Sequence, residues 1–166
     1  SCLRGPVNSN VRQRNRTLLL MRAVEISADP KRLDVKAIHA FLSASYWSPG
    51  IPLATVQRAV ENSVCVGAYA AGVQVGFARV VTDKATFAYL ADVYVLEAHR
   101  RRGISKQMME VLLQLPELQG LRRMMLATRD AHSLYERFGF KPLAAPARFM
   151  ERHNPNVYSP PPPSAA

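Results

Sequence analysis

Seven consecutive residues, Arg100-Arg101-Arg102-Gly103-Ile104-Ser105-Lys106, carry the densest chemistry of the chain. They follow a strand-like run ending at Val95 and open a segment in which Ile104, Met108, Val111, Leu112 and Leu115 recur at helical spacing. A strand, a basic loop with one glycine and the first turn of an amphipathic helix direct several unpaired backbone N–H groups at one spot. Glycine lets a phosphate approach the backbone closely. The helix dipole favours negative charge there, and Arg100, Arg101, Arg102 and Lys106 add full positive charges, so a pyrophosphate is a natural occupant. The stretch lacks both the G-x-G-x-x-G of dinucleotide folds and the G-K-[ST] of a P-loop, which argues against a Rossmann enzyme or an NTPase. A plain solvated basic loop is the competing reading of the same residues.

Other side chains with chemical potential are sparser. Tyr46 and Trp47, the latter the only tryptophan, sit in a breaker-rich loop over residues 45–50 and either line a pocket or cover the edge of the core. Asp92 is a charge inside an apolar strand; alternation puts it on the side of Leu90 and Tyr94, opposite Tyr89, Val93 and Val95. His39 and His132 stand alone, without a second ligand at metal spacing, and the Met108-Met109 and Met124-Met125 pairs read as core filling. Cys2 and Cys65 form neither a disulfide framework nor a zinc pattern, so a reducing compartment and no metal are expected.

The elements that must position these residues follow from local signals. Residues 23–27 read as a strand. Asp29-Pro30 reads as a helix cap, and Leu33, Ala37, Ile38, Phe41 and Leu42 form the buried stripe of a helix stopping near Ser43. A second short helix runs through Leu53, Val56 and Val60. Residues 63–95 read as three antiparallel strands turning at Ala71-Gly72 and Asp83-Lys84. Pro116 ends or kinks the helix after the basic run. Residues 121–127 form another strand, Asp130 caps a short helix through Phe138, Gly139 takes a left-handed C-terminal position, and residues 140–152 hold material for one or two strands. The order β-α-α-β-β-β-α-β-α-β predicts a mixed α/β (α+β) domain: a mostly antiparallel central sheet with helices on both faces.

Two motifs in this order resemble the GNAT superfamily of acyl-CoA-dependent N-acetyltransferases, of a single-domain bacterial type. The first is the Q/R-x-x-G-x-G/A phosphate loop, met by Arg100 and Gly103, with Ser105 in place of the family's Gly or Ala. The second is L-Y-x-x-x-G-F, met in full by Leu134-Tyr135-Glu136-Arg137-Phe138-Gly139-Phe140. Thr128 stands where the family often has Asn. The resemblance covers residues 21–150. It implies that the strand ending at Val95 splays from the next one, that main-chain groups of Val93 and Val95 pair with pantetheine, and that amides of Arg101, Arg102, Gly103, Ile104 and Ser105 hold the pyrophosphate. It further implies acetyl-CoA as cosubstrate, direct transfer to a primary amine of a small molecule or peptide in a ternary complex, and Tyr135 as the acid that protonates the departing thiolate. Asp92 is the leading candidate for the base, with Tyr89 or water as alternatives. Tyr46, Trp47 and Tyr89 are candidates for contact with the acceptor. A noncatalytic acyl-CoA-binding regulator of the same fold is the alternative.

Composition bounds these expectations. At 166 residues, 48% of them hydrophobic, the chain is long enough for one core and short for two. No apolar run reaches the roughly 20 residues of a membrane-spanning helix. The net charge of +10 suggests a nucleic-acid partner, yet five of the 22 basic residues (Arg4, Arg12, Arg14, Arg16 and Arg22) lie in a start that has no acid. Residues 1–20 therefore read as a disordered or extraneous leader, with a transit peptide as the competing reading. Residues 21–153 read as the domain and residues 154–166, with four successive prolines, as a disordered tail. The expectation is a cytoplasmic monomer or homodimer that binds neither nucleic acid nor membrane.

Overall fold

The computed structural model describes residues 23–159, so the expectations placed on the leader, on Cys2 and on the polyproline run lie outside the described residues. The chain lays down β1 (Val24–Ser27), α1 (Val35–Ser43), α2 (Leu53–Glu61), β2 (Val64–Ala70), β3 (Val73–Thr82), β4 (Phe87–Val95), α3 (Ile104–Leu112), β5 (Arg123–Leu126) and α4 (His132–Glu136). The five strands form one sheet in sequence order. β1 to β4 are antiparallel neighbours, and β5 joins β4 in parallel.

Period-two alternation divides the strand side chains between two cores. Val64, Val66, Ala78, Val80, Ala88 and Leu90 pack against Ile104, Met108, Met109 and Leu112 of α3. Cys65, Phe77 and Tyr94 pack on the opposite face against Ile38 and Leu42 of α1 and Val56 of α2. The expected mixed sheet with helices on both faces is present.

Local differences have physical reasons. Asp29 caps only a 3-10 turn at Pro30–Arg32; Leu33 is extended, and Asp34 Oδ1 accepts from Ala37 N to start α1 afresh. The helix after the basic run ends at Leu112, short of Pro116. Asp130 does not cap α4, since the Ala131 amide donates to Thr128 Oγ1 at 3.0 Å. Residues 140–152 form no strand: Pro142 and Pro146 remove ladder donors, and the second opens a 3-10 turn at Pro146–Arg148. Of the tail expected from Asn154, residues 154–159 are described, and among them the half-buried Tyr158 packs against the α1/α2 core while its neighbours are exposed.

Alternation breaks at one place that matters for the site. Arg79 pairs with Asp92 but Val80 pairs with Leu90, so Ala91 is an extra residue, a β-bulge. The bulge turns Leu90 toward α3 while Asp92 and Tyr94 face α1 and α2. The expectation that Leu90 and Asp92 share a face is thereby corrected.

Tyr158→Ala should test this contact. Removing a half-buried aromatic ring should cost about 1–2 kcal/mol, read as a lower urea midpoint at unchanged m-value.

Candidate functional site

β4 and β5 pair only from Phe87 to Leu90 and from Arg123 to Leu126. Beyond Leu90, β4 continues to Val95 along β3 alone. The Leu96 amide donates to Val75 O at 2.8 Å on the β3 side. Because successive backbone groups alternate in direction, the N–H and C=O groups of Val93 and Val95 face the opposite, open edge. Arg100 Nε reaches one of them, donating to Val95 O at 3.0 Å. A cleft of about 1040 Å³ fills the parted space.

At one end of this edge stands the first turn of α3. Gly103 occupies its N-cap in the left-handed region at φ 73°, and Arg101, two residues earlier, has φ 60°. A side chain at either position incurs strain, which glycine avoids and Arg101 accepts. The cap offers no side-chain oxygen, so the first amides of α3 are left for solvent or ligand. Arg100 and Ser105 line the cleft. The other expected members of the loop lie outside its lining: Ile104 is buried in the α3 core, Lys106 Nζ lies 3.5 Å from Glu110, and Arg102 Nη1 is 3.3 Å from His99 Nδ1.

Across the cleft lies Tyr135, 8% exposed. Its placement explains the spacing of its motif. Phe140 N donates to Tyr135 O at 3.3 Å and Gly139 N to Glu136 O at 3.0 Å, the two bonds of a Schellman ending, with Gly139 left-handed at φ 84°. That motif brings together the residues that flank it, and the Phe140 ring meets Tyr135 edge-on at 6.0 Å. Burial raises the phenol's pKa above its usual value, and the nearby Asp130 carboxylate pushes the same way.

The opposite wall is aromatic. Tyr94 stacks on Phe41 at 3.8 Å, Phe41 meets Trp47 at 6.2 Å, and Trp47 meets Tyr46 edge-on at 5.0 Å. Arg129, from the loop before α4, lies 4.1 Å from the Tyr46 ring centroid and joins the two walls. Tyr94, Phe41 and Arg129 escaped sequence reasoning. Tyr94 and Phe41 carry the alternation and helical spacing of core residues, and nothing local tells a core from a cleft wall.

Asp92 and Tyr89 do not line the cleft. Tyr89 lies on the paired part of β4, between Val81 and Met125. Asp92 is 6% exposed, and both its oxygens are engaged: Oδ2 accepts from Arg79 Nε at 2.6 Å and Oδ1 from Trp47 Nε1 at 2.9 Å. Among the described residues, no group of three His, Cys, Asp or Glu is placed to hold a metal ion. No helix described is long and apolar enough to cross a membrane.

Comparison with known proteins agrees with this geometry. The profile of the acetyltransferase (GNAT) domain matches residues 61–142. A Gibberella zeae protein provisionally named as an acetyltransferase is 35% identical over 133 residues, covering 66% of this chain and 74% of its own. A crystal structure from Xanthomonas campestris pv. campestris, provisionally described as an acetyltransferase of the GNAT family, is 52% identical, with a TM-score of 0.80 over 83% of this chain and 98% of that one. A Deinococcus radiodurans structure shares the fold at 21% identity, TM-score 0.64, over 86% of this chain and 96% of its own. With the parted strands, the left-handed cap and the Tyr135 ending all in place, the chain belongs to the GNAT family of acetyltransferases.

Proposed function

We propose that this acetyltransferase moves the acetyl group of acetyl-CoA to a primary amine by direct attack within a ternary complex. The observation that carries the reading is the open edge of β4 at Val93 and Val95, running from the free amides of α3 toward the cleft that Tyr135 lines. An amide-containing arm such as pantetheine satisfies that edge as a strand would, and a pyrophosphate suits the α3 amides and Arg100. Orientation of thioester and amine supplies most of the rate, because a bound near-attack geometry removes the entropy of a bimolecular encounter.

In the step itself the neutral amine's lone pair forms a bond to the thioester carbonyl carbon. The carbon–sulfur bond then breaks with its electron pair on sulfur, Tyr135 O–H protonates that thiolate, and the surplus ammonium proton passes to water. Tyr135 regains its proton from solvent. The raised pKa suits this role, since it keeps the phenol protonated through neutral and mildly alkaline pH. Water serves as base because the carboxylate of Asp92 is committed to Arg79 and Trp47.

An acyl-enzyme through Cys65, the cysteine among the described residues, has no support from the geometry. Cys65 faces the α1/α2 core, and burial pushes its thiol up to about 12. In native protein at pH 8, a thiol reagent should leave the Cys65 peptide unlabelled and label it after denaturation; rapid native labelling would reopen the covalent route.

A panel of amines with acetyl-CoA, read by thiol release and product mass, tests the reaction. Calorimetric binding of CoA without turnover of any amine would favour a noncatalytic acyl-CoA-binding module instead. Tyr135→Phe should lower kcat about a hundredfold with little change in the KM for acetyl-CoA, and wild-type kcat in that variant would remove Tyr135 from the acid role. The alkaline limb of the wild-type kcat profile should lie above pH ~10, the value of an unperturbed tyrosine.

A further inference from the structure

Trp47 and Ala91 line two cavities at once: the large cleft and a second space of about 330 Å³ behind it. Leu42, Ile51, Val56 and Val60 give the second space one apolar side, Arg79, Asp92 and Ser48 give it a polar one, and Tyr158 also lines it. Of these two shared residues, Ala91, the bulge residue, contributes only a methyl, and Trp47 carries by far the larger side chain.

The indole is held from behind by a chain of hydrogen bonds. Trp47 Nε1 donates to Asp92 Oδ1 at 2.9 Å, and Arg79 Nε donates to Asp92 Oδ2 at 2.6 Å. Arg79 Nη1 donates to Ser63 Oγ at 3.1 Å, and Ser63 Oγ donates to Ala59 O of α2 at 2.6 Å. The Arg79–Asp92 pair is largely withdrawn from solvent, where a charged acceptor strengthens the indole bond and a lost partner is costly. A loop aromatic that is partly exposed is thus tied to the sheet and to α2.

We infer that Trp47, locked by Asp92, is the specificity-determining wall of the acceptor site: it limits acceptors to amines short enough to end against the indole, and Asp92 is its positioning residue. The inference rests on the amine-acetylating reading and goes beyond it by naming what bounds the acceptor. Without the indole, the cleft joins the second cavity, where the side formed by Leu42, Ile51, Val56 and Val60 suits a longer alkyl chain.

The test uses linear alkylamines from ethylamine to decylamine with acetyl-CoA and the full chain. In wild type, kcat/KM should fall beyond a limiting length. Trp47→Ala should raise the ratio of kcat/KM for long over short amines at least tenfold, with the KM for acetyl-CoA little changed. The double variant Arg79→Met/Asp92→Leu replaces the ion pair with apolar side chains of similar size and should shift the length profile the same way. Asp92→Asn, which keeps an acceptor for the indole, should retain most of the wild-type profile.

Because Trp47 is the sole tryptophan, its emission reads the lock without turnover. Acrylamide should quench it more readily in the double variant than in wild type or Asp92→Asn. Identical quenching in all three, or length profiles that stay parallel in Trp47→Ala, would overturn the inference. A merely structural pair would lower thermal stability in the double variant while leaving both readouts unmoved. If no amine is turned over, the acetyl-transfer reading fails by itself. Calorimetry of octylamine binding to wild type and Trp47→Ala then decides the wall, with tighter binding to the variant expected and equal binding counting against it.

Discussion

The parting of β4 from β5 after four paired residues is the constraint on which the rest of the structure depends. A parallel pair that simply continued would satisfy the backbone of residues 91–95 internally and leave no cleft. Once it stops, the N–H and C=O groups of Val93 and Val95 need partners from elsewhere, and the fold brings one of its own, Arg100, to the Val95 carbonyl. The bulge at Ala91 marks the parting on the strand itself, since an extra residue bends the strand and re-aims those that follow.

Each end of the opened edge is built by a backbone device that dictates residue type. At α3 a left-handed N-cap calls for Gly103 and leaves the first amides uncovered. At α4 a left-handed ending calls for Gly139 and brings Phe140 onto Tyr135. These geometries explain why the family's two motifs contain glycine where they do. The aromatic at the end of the second motif then has a definite task, which is to seat a buried phenol on the cleft. Ser105 in place of Gly or Ala is accommodated on the cleft wall, within the first turn of the helix.

The same bulge separates two uses of charge in β4. Asp92 is turned to the α1/α2 face, where Arg79 neutralises it and Trp47 caps its second oxygen. A carboxylate so engaged is poorly suited to accept a proton from an amine in the cleft. It is well suited to hold a ring. Both the proposed use of water as the base and the proposed role of Asp92 in holding the indole rest on that one change of register and on the Arg79 partner.

Much of the fold was legible in local signals: the three antiparallel strands and their turns, the stripe of α3, and the glycines at 103 and 139. These depend on alternation, helical period and allowed φ, which neighbouring residues decide among themselves. The sequence by itself determined those elements and, through two spaced motifs, the family. Only the tertiary structure decided that Asp92 faces Trp47 rather than the cleft, that Tyr158 docks and that residues 140–152 form no strand. These outcomes turn on which distant groups meet, as with the indole and carboxylate that stand 45 residues apart, and on one unpaired residue in a ladder. No periodicity along the chain records such a meeting, because one residue's shift in register reverses every side chain beyond it.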